Sequence, residues 1–305
     1  MEQLFQKIEL RKVRDFGNKF NVTFEFIRQN YKALFTSLLL ISGPFHVLGN
    51  VIVTVYSFFV LGSFDEMART SDPFDFLTNF TGYQLLGNGI AMIGYLLSIV
   101  VVYSVVRLYA ERSDPLSITV GDVWNYAKDD ILPVLGAGIL STLVVLVALV
   151  FLVIPGIYLA VVLSLMAPII VYERKSIGDA FSRSFFLIKE KWWSTFGLIV
   201  VAAIIQYVIS MIFAIPTMIA AFVWGIHAAT NDGGLIGEFP LWYKVTTLIT
   251  SVIASLAGSM IMCITHLAVS FQYFNLAERR ESTGLLGRLE NFGKQETAND
   301  QNETY

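Results

Sequence analysis

The fold of this chain is decided by residues 131–172, which read ILPVLGAGILSTLVVLVALVFLVIPGIYLAVVLSLMAPIIVY without one charged side chain. One continuous helix of these 42 residues would be about 63 Å long at about 1.5 Å per residue, twice the roughly 30 Å hydrocarbon core of a bilayer. Pro155 and Gly156 lie inside the stretch, and a Pro-Gly pair is typical of a turn. The sequence therefore predicts two membrane-spanning helices, 133–154 and 157–173, joined by a tight hairpin.

The rest of the chain has the same apolar character. Its 305 residues are 55% hydrophobic and only 15% charged, with a mean hydropathy of +0.63, whereas soluble domains carry about 25% charged residues. Five uncharged runs are long enough to enter a membrane: 33–64, 76–106, 131–172, 192–231 and 245–277. This composition predicts an all-α, polytopic integral membrane protein, and it excludes a secreted domain, a soluble enzyme and a nucleic-acid binder.

The positions of Lys and Arg decide how many spans the five runs make, because these residues concentrate on the cytoplasmic side of a membrane. With six spans, 19 of the 21 Lys and Arg lie on one side, and only Arg69 and Lys244 lie on the other. A second hairpin at Pro216 would move the basic C-terminal tail to the acidic side, so 192–231 is predicted to be one span, kinked near that proline. Both termini are then cytoplasmic, and the polar tail 281–305 is predicted to be mostly disordered.

A threefold internal repeat is indicated by three stretches aligned on Gly17, Gly121 and Gly178. In each stretch four positions recur at spacings of four, three and four, which lays one stripe along a helix. A basic helix with an apolar stripe lies in the plane of the membrane interface. The stripe positions are Phe20, Phe24, Ile27 and Tyr31; Trp124, Lys128, Ile131 and Leu135; and Phe181, Phe185, Ile188 and Trp192.

Each stretch precedes two spans, and each pair of spans ends in a Glu-Arg dipeptide, at residues 111–112, 173–174 and 278–279. The chain is therefore predicted to be a single six-span membrane domain, residues 1–280, made of three units. Each unit is a cytoplasmic amphipathic interfacial helix followed by a transmembrane hairpin. The alternative is that basic amphipathic stretches are simply common before spans. The predicted units are 14–112, 118–174 and 175–280.

Three short motifs resemble a known family: IPGIYL at 154–159, APIIVYE at 167–173 and IGDAFSRS at 177–184. They are similar to the membrane domain of some glycerophosphoryl diester phosphodiesterases and to its stand-alone relatives. This resemblance implies a six-span protein of the bacterial inner membrane. It implies no enzymatic activity, because the catalytic part of the two-domain relatives is a separate soluble barrel. The matching positions are Pro155, Gly156, Pro168, Glu173, Ala180, Arg183 and Ser184.

Few groups in the uncharged runs can take part in chemistry: His46, His227, His266 and Cys263. A metal site needs three or four converging ligands and a Ser/His/Asp triad needs an aspartate, so no metal, cofactor or catalytic site is predicted. His46 and His266 lie at comparable depths in the first and sixth predicted spans, and Asn50 follows His46 by one turn. A neutral His–His or His–Asn hydrogen bond across the bundle is therefore predicted. The alternative is that each histidine bonds only a neighbouring carbonyl.

Glu173 and Arg183 form the most informative charged pair at the predicted membrane surface. Glu173 ends the fourth span, and Arg183 lies in the third interfacial helix. In that helix Phe181, Phe185, Ile188 and Trp192 are predicted to face the acyl chains. A salt bridge between Glu173 and Arg183 would pin that helix to the surface. Two unrelated exposed charges would instead contribute only about 0–1 kcal/mol.

These features predict a non-enzymatic module of the bacterial inner membrane. Its cytoplasmic amphipathic helices would contact lipid headgroups, a protein partner or a second copy of the chain, and it would have no nucleic-acid partner. The alternative is a permease or channel-like carrier of a neutral or amphiphilic solute. A wide, polar-lined cavity would favour the carrier, whereas a dry, packed bundle would favour the module.

Overall fold

The computed structural model describes residues 7–62, 73–112, 117–230 and 239–282. Within these ranges every regular element is helical, which confirms the predicted all-α class. The predicted disordered tail beyond residue 282 lies outside the described residues. The helices are α1 (Phe16–Ser37), α2 (Gly43–Gly62), α3 (Pro73–Glu111), α4 (Val120–Phe151), α5 (Val153–Leu163), α6 (Met166–Glu173), α7 (Ile177–Ile188), α8 (Trp192–Thr230), α9 (Leu241–Ile261) and α10 (Cys263–Glu281).

Six helical segments of the described chain are long and apolar enough to cross a membrane, as predicted. The uncharged run 192–231 gives one helix, α8, which continues through Pro216. It is therefore one span and not a hairpin, also as predicted. The six segments are Phe16–Phe59, Thr81–Glu111, Val120–Phe151, Val153–Glu173, Trp192–His227 and Leu241–Glu281.

The first segment joins α1 to α2 through a π-helical turn, Leu38–Ser42. Pro44 follows this turn closely, and a proline both lacks an N–H for the helix ladder and crowds the turn before it. A second irregularity lies within α1 at Asn30 (φ −117°, ψ 18°), whose side-chain amide donates to the Phe26 carbonyl at 3.1 Å. The first predicted interfacial stretch thus ends at a kink at Asn30, and the chain continues through the π-helical turn into α2.

The second predicted interfacial stretch also belongs to a spanning helix. α4 begins with a capping box, in which the side chains of Thr119 and Asp122 each accept from the other's backbone N–H, and it runs unbroken to Phe151. The third stretch begins with a separate helix, α7, which ends at Ile188; Glu190 then adopts a left-handed conformation (φ 72°) before α8. The prediction of a separate helix is therefore wrong for the second stretch, where no residue stops helix propagation before the apolar run.

The hairpin between the third and fourth spans turns at Leu152, whose backbone is extended (φ −156°, ψ 132°) between α4 and α5. The predicted turn at Pro155 and Gly156 therefore lies too far along the chain. Pro155 is in the first turn of α5, where a missing N–H costs no hydrogen bond. A Cβ at Gly156 would overlap with the side chain of Leu149 in α4. The proline thus starts a helix, and the glycine allows two helices to approach closely.

The core lies toward one end of the bundle, around α10. Its largest fully buried side chains are aromatic: Tyr103 and Tyr109 of α3, Phe26 of α1, and Phe271 and Tyr273 of α10. α10 packs against α1, α3, α6, α7 and α8, and it is therefore buried on nearly every side. It carries several polar residues into this position: His266, Ser270, Gln272, Asn275 and Glu278.

We expect Gly156→Ala to lower the free energy of unfolding by about 1–3 kcal/mol, because the added methyl group forces Leu149 and the hairpin to shift. Gly225→Ala is the matched control. Gly225 lies in α8 with open space around its Cβ position, and alanine favours a helix over glycine by up to about 1 kcal/mol. The measurement is unfolding by SDS in mixed micelles. Equal stabilities of the two variants would contradict the close approach of α4 and α5.

Candidate functional site

One end of the bundle brings together the N-terminal segment 7–15, α1, α7, the C-terminal ends of α3, α6 and α10, and the N-terminal ends of α4 and α8. We call it the basic end. Lys7 Nζ donates to the Arg112 carbonyl at 2.8 Å, and the Arg14 backbone N–H donates to Asn275 Oδ1 at 2.9 Å. The segments that the charge count assigns to one side of the membrane therefore meet at one end of the structure.

Glu173, at the end of α6, is the centre of an ion-pair network at the basic end. Its Oε1 accepts hydrogen bonds from Arg183 Nε at 3.1 Å and from the Tyr273 hydroxyl at 2.9 Å. Its Oε2 lies 3.2 Å from Lys175 Nζ, and Arg183 also pairs with Glu281. The predicted Glu173–Arg183 ion pair is thus present in the structure, and it ties α6, α7 and α10 together.

This pair differs from an exposed ion pair because the side chains of Glu173 and Arg183 are only 13% and 14% exposed. Burial by itself lowers the pKa of Arg183, but the hydrogen bonds and charges of Glu281 and Glu173 outweigh burial and raise that pKa. Removal of one partner would leave the other charge largely buried and paired only with a more exposed residue, Lys175 or Glu281. Such a loss destabilises a protein more than the loss of a surface pair does.

A second network surrounds Asp130 of α4 and was not predicted from the sequence. Its carboxylate is 3% exposed and lies 3.6 Å from Arg107 of α3 and 3.4 Å from Arg174. Arg107 also pairs with Glu111 at 2.8 Å, and the Tyr126 hydroxyl donates to the same glutamate at 2.8 Å. The sequence signal for this site is slight: Asp130 immediately precedes the third uncharged run.

The predicted apolar stripe of α7 packs partly against protein. Ile188 is 1% exposed, so the prediction that it faces acyl chains is wrong; α7 contacts α5, α6 and α10, and this contact takes up part of the stripe. Phe181 and Phe185 are half-buried, with ring centroids 5.1 Å apart. Trp192 is also half-buried, and its ring stacks on that of Phe196 at 5.1 Å.

The two intramembrane histidines contact α3 and do not bond to each other. His46 Nε2 lies 3.3 Å from the Ser98 hydroxyl. The ring of His266 packs edge-to-face on Tyr103 at 5.8 Å, and its Nε2 has no hydrogen-bond partner among the described residues. Asn50 accepts from a serine of α9 at 2.9 Å. The predicted His–His or His–Asn hydrogen bond is therefore not formed, because matched depth in two spans does not fix the direction in which each side chain points.

A cavity of about 460 Å³ lies among α3, α4, α5, α6 and α10 in the membrane-spanning part of the bundle. Its lining is mostly aliphatic, has no charged residue, and includes Tyr95, Tyr103 and His266. Met92 and Ile139 also line it and are about half exposed (50% and 48%), so the cavity reaches the outer surface of the helices. In the part of the chain that the structure describes, no group of three or more His, Cys, Asp or Glu could hold a metal ion.

We expect Glu173→Gln and Arg183→Gln each to lower the free energy of unfolding by up to about 3 kcal/mol, because each removes from a largely buried charge its most buried partner. The double variant should lose less than the sum of the two single losses. Arg28→Gln, an exposed position on α1, is the control and should change stability by less than about 0.5 kcal/mol. Strictly additive losses in the double-mutant cycle would argue against a coupled pair.

Comparison with known proteins gives a family but no described activity. No curated protein and no solved structure matches the chain. The sequence model of one family matches residues 66–276, which is more than half of the chain and includes Asp130, Glu173, Arg183 and His266. The first span lies outside this match. The chain belongs to the family described as Domain of unknown function (DUF7847).

Proposed function

We propose that this chain is a non-enzymatic module of the bacterial inner membrane, and that its basic end faces the cytoplasm and contacts anionic lipid headgroups. The observation that carries the proposal is a surplus of positive charge. Within the described ranges, the basic end holds 17 Lys and Arg and 12 Asp and Glu. Lys and Arg near spans favour the cytoplasmic side, and attraction to anionic lipids contributes about 1 kcal/mol for each such residue near the surface.

The proposal includes three hairpins with both termini in the cytoplasm, and a threefold repeat of units 14–112, 118–174 and 175–280. The recurring Glu-Arg dipeptides support it, because they end α3, α6 and α10, which all terminate at the basic end. Glu111 accepts a hydrogen bond from the Tyr126 hydroxyl of α4 at 2.8 Å, and Glu173 pairs with Arg183 of α7. Glutamates at corresponding places thus serve the same purpose of fixing a helix end to its neighbours.

α7 is the element best suited to lie at the membrane surface. Its buried side consists of Ala180, Ser184, Leu187 and Ile188. Its other side presents Phe186, which is 50% exposed and has the guanidinium groups of two arginines 5.5 Å from its ring centroid. An aromatic ring next to two guanidinium groups suits the boundary between acyl chains and lipid headgroups.

The second candidate function is a carrier of a neutral or amphiphilic molecule. The cavity of about 460 Å³ favours it, because pockets for small molecules typically have volumes of about 300–1,000 Å³. An uncharged, mostly aliphatic lining would suit a molecule that dissolves in the bilayer. The exposed residues at the rim would let such a molecule enter the cavity directly from the bilayer. The module remains our first proposal because the cavity lacks the wide polar lining expected of a solute pathway.

The proposed orientation predicts which engineered cysteines an impermeant thiol reagent can reach in intact spheroplasts. In a Cys263→Ser background, a cysteine at Leu241 should be labelled, because this position is 76% exposed at the end opposite the basic end. A cysteine at Lys128, an exposed position of the basic end, should be labelled only after the membrane is permeabilised. Labelling of the Lys128 position in intact spheroplasts would contradict a cytoplasmic basic end.

Contact with anionic headgroups predicts that phosphatidylglycerol stabilises the purified protein more than phosphatidylcholine does. The measurement is the midpoint of thermal unfolding in mixed micelles of a neutral detergent. We expect the difference between the two lipids to shrink as salt rises from about 0.1 M to 1 M, because the Debye length falls from about 10 Å to about 3 Å. Equal midpoints with both lipids at low salt would contradict the proposal.

A further inference from the structure

A pocket of about 300 Å³ lies at the basic end, where the C-terminal ends of α7 and α10 meet the short connection between α7 and α8. We call it the basic pocket. It is distinct from the cavity within the spans and from the Glu173–Arg183 ion pair. Its charged lining residues are Lys189, Glu190, Lys191, Arg279 and Arg280, and two leucines complete the wall.

The positive charges of the basic pocket exceed its negative charge. Glu190 is its one carboxylate and lies 3.6 Å from Arg280, which also donates to the Lys189 carbonyl at 2.9 Å. The side chains of Lys189, Lys191 and Arg279 have no carboxylate partner among the described residues. Within the described part of the chain, three cations therefore surround one small space with no carboxylate at ion-pair distance.

Lys19 of α1 adds a buried cation next to the basic pocket. It is 2% exposed, and its Nζ lies 3.3 Å from the hydroxyl of Ser194, in the first turn of α8. Lys191 and Arg279 lie close enough to repel its charge, and Asp15 lies close enough to attract it. The Asp15 carboxylate also caps α1, and it offsets part of the repulsion. The N–H groups at the start of α8 contribute a further partial positive charge.

A buried cation among like charges costs free energy unless an anion offsets it. We propose that the basic pocket binds a phosphate group, whose negative charge offsets Lys19, Lys191 and Arg279. An arginine offers paired donors that match phosphate oxygens, and lysines add mobile point charges. The phosphate could belong to an anionic lipid headgroup or be free in solution. The lipid form rests on the proposed function, since it needs the basic end to lie at a membrane surface.

The test uses the full chain in a neutral detergent and measures the midpoint of thermal unfolding. The lipid probe is dioleoylphosphatidylglycerol, compared with dioleoylphosphatidylcholine and with sodium oleate, an anion that lacks phosphate. The probe for phosphate free in solution is sodium phosphate, compared with sodium chloride at equal ionic strength. We expect the gain from phosphatidylglycerol to be larger in the wild type than in Lys191→Gln/Arg279→Gln by about 2–4 °C.

The matched control is Lys12→Gln/Lys128→Gln, which removes two exposed cations of the basic end outside the basic pocket. It should keep most of the gain. The Lys19→Met variant is a second, independent test of the cost of the buried charge, because methionine fills a similar volume without a charge. Without an added anion it should unfold at a higher temperature than the wild type, and with phosphatidylglycerol it should gain less.

If phosphatidylglycerol raises the unfolding midpoint equally in the wild type, the pocket variant and the control, phosphate binding by the basic pocket is overturned. The proposed contact with anionic headgroups would remain in place. A wild type that gains no more from phosphatidylglycerol than from phosphatidylcholine would overturn the lipid form together with the proposed function. A gain from sodium phosphate would in that case still support a site for free phosphate. No gain from either phosphate probe, or an equal gain from oleate, would overturn the proposal, as would a Lys19→Met variant less stable than the wild type without an added anion.

Discussion

An unpaired charge is costly in hydrocarbon, and this constraint determines where every other feature of the bundle lies. The uncharged runs occupy the interior of the spans, and the charged side chains collect where the helices end. Because α3, α6 and α10 finish at the end where α4 and α8 begin, their charges are forced together. The networks around Glu173 and Asp130 are the result: each buries a carboxylate between cations and fixes three helices to one another.

α10 makes this arrangement possible. It is the helix around which the basic end packs, and three of the polar side chains that it brings into the core bond to other segments. Asn275 accepts from the Arg14 backbone, Gln272 donates to Thr195 at 2.7 Å, and Tyr273 donates to Glu173. A buried polar group needs such partners. The N-terminal segment, α8 and α6 are therefore held by α10 through specific hydrogen bonds as well as by apolar contact.

The bundle offers two environments of opposite character. The basic pocket has more cations than carboxylates and includes Lys19 as a buried neighbour, and it is suited to an anion at the membrane surface. The cavity near His266 is uncharged and mostly aliphatic, and it is suited to a molecule that dissolves in lipid. A headgroup-binding module and a carrier of amphiphiles would each use one of them, which is why the tests address the two environments separately.

The sequence alone determined the all-α class, the six spans, the single helix through Pro216 and the pairing of Glu173 with Arg183. These follow from local hydropathy, and from charges that lie close together along the chain. Tertiary packing decided the turn at Leu152, the separate partners of His46 and His266, the burial of Asp130 and the surplus charge around Lys19. Each of these depends on how far a helix is rotated about its axis and on which neighbour it meets, and a pattern read along one helix contains neither.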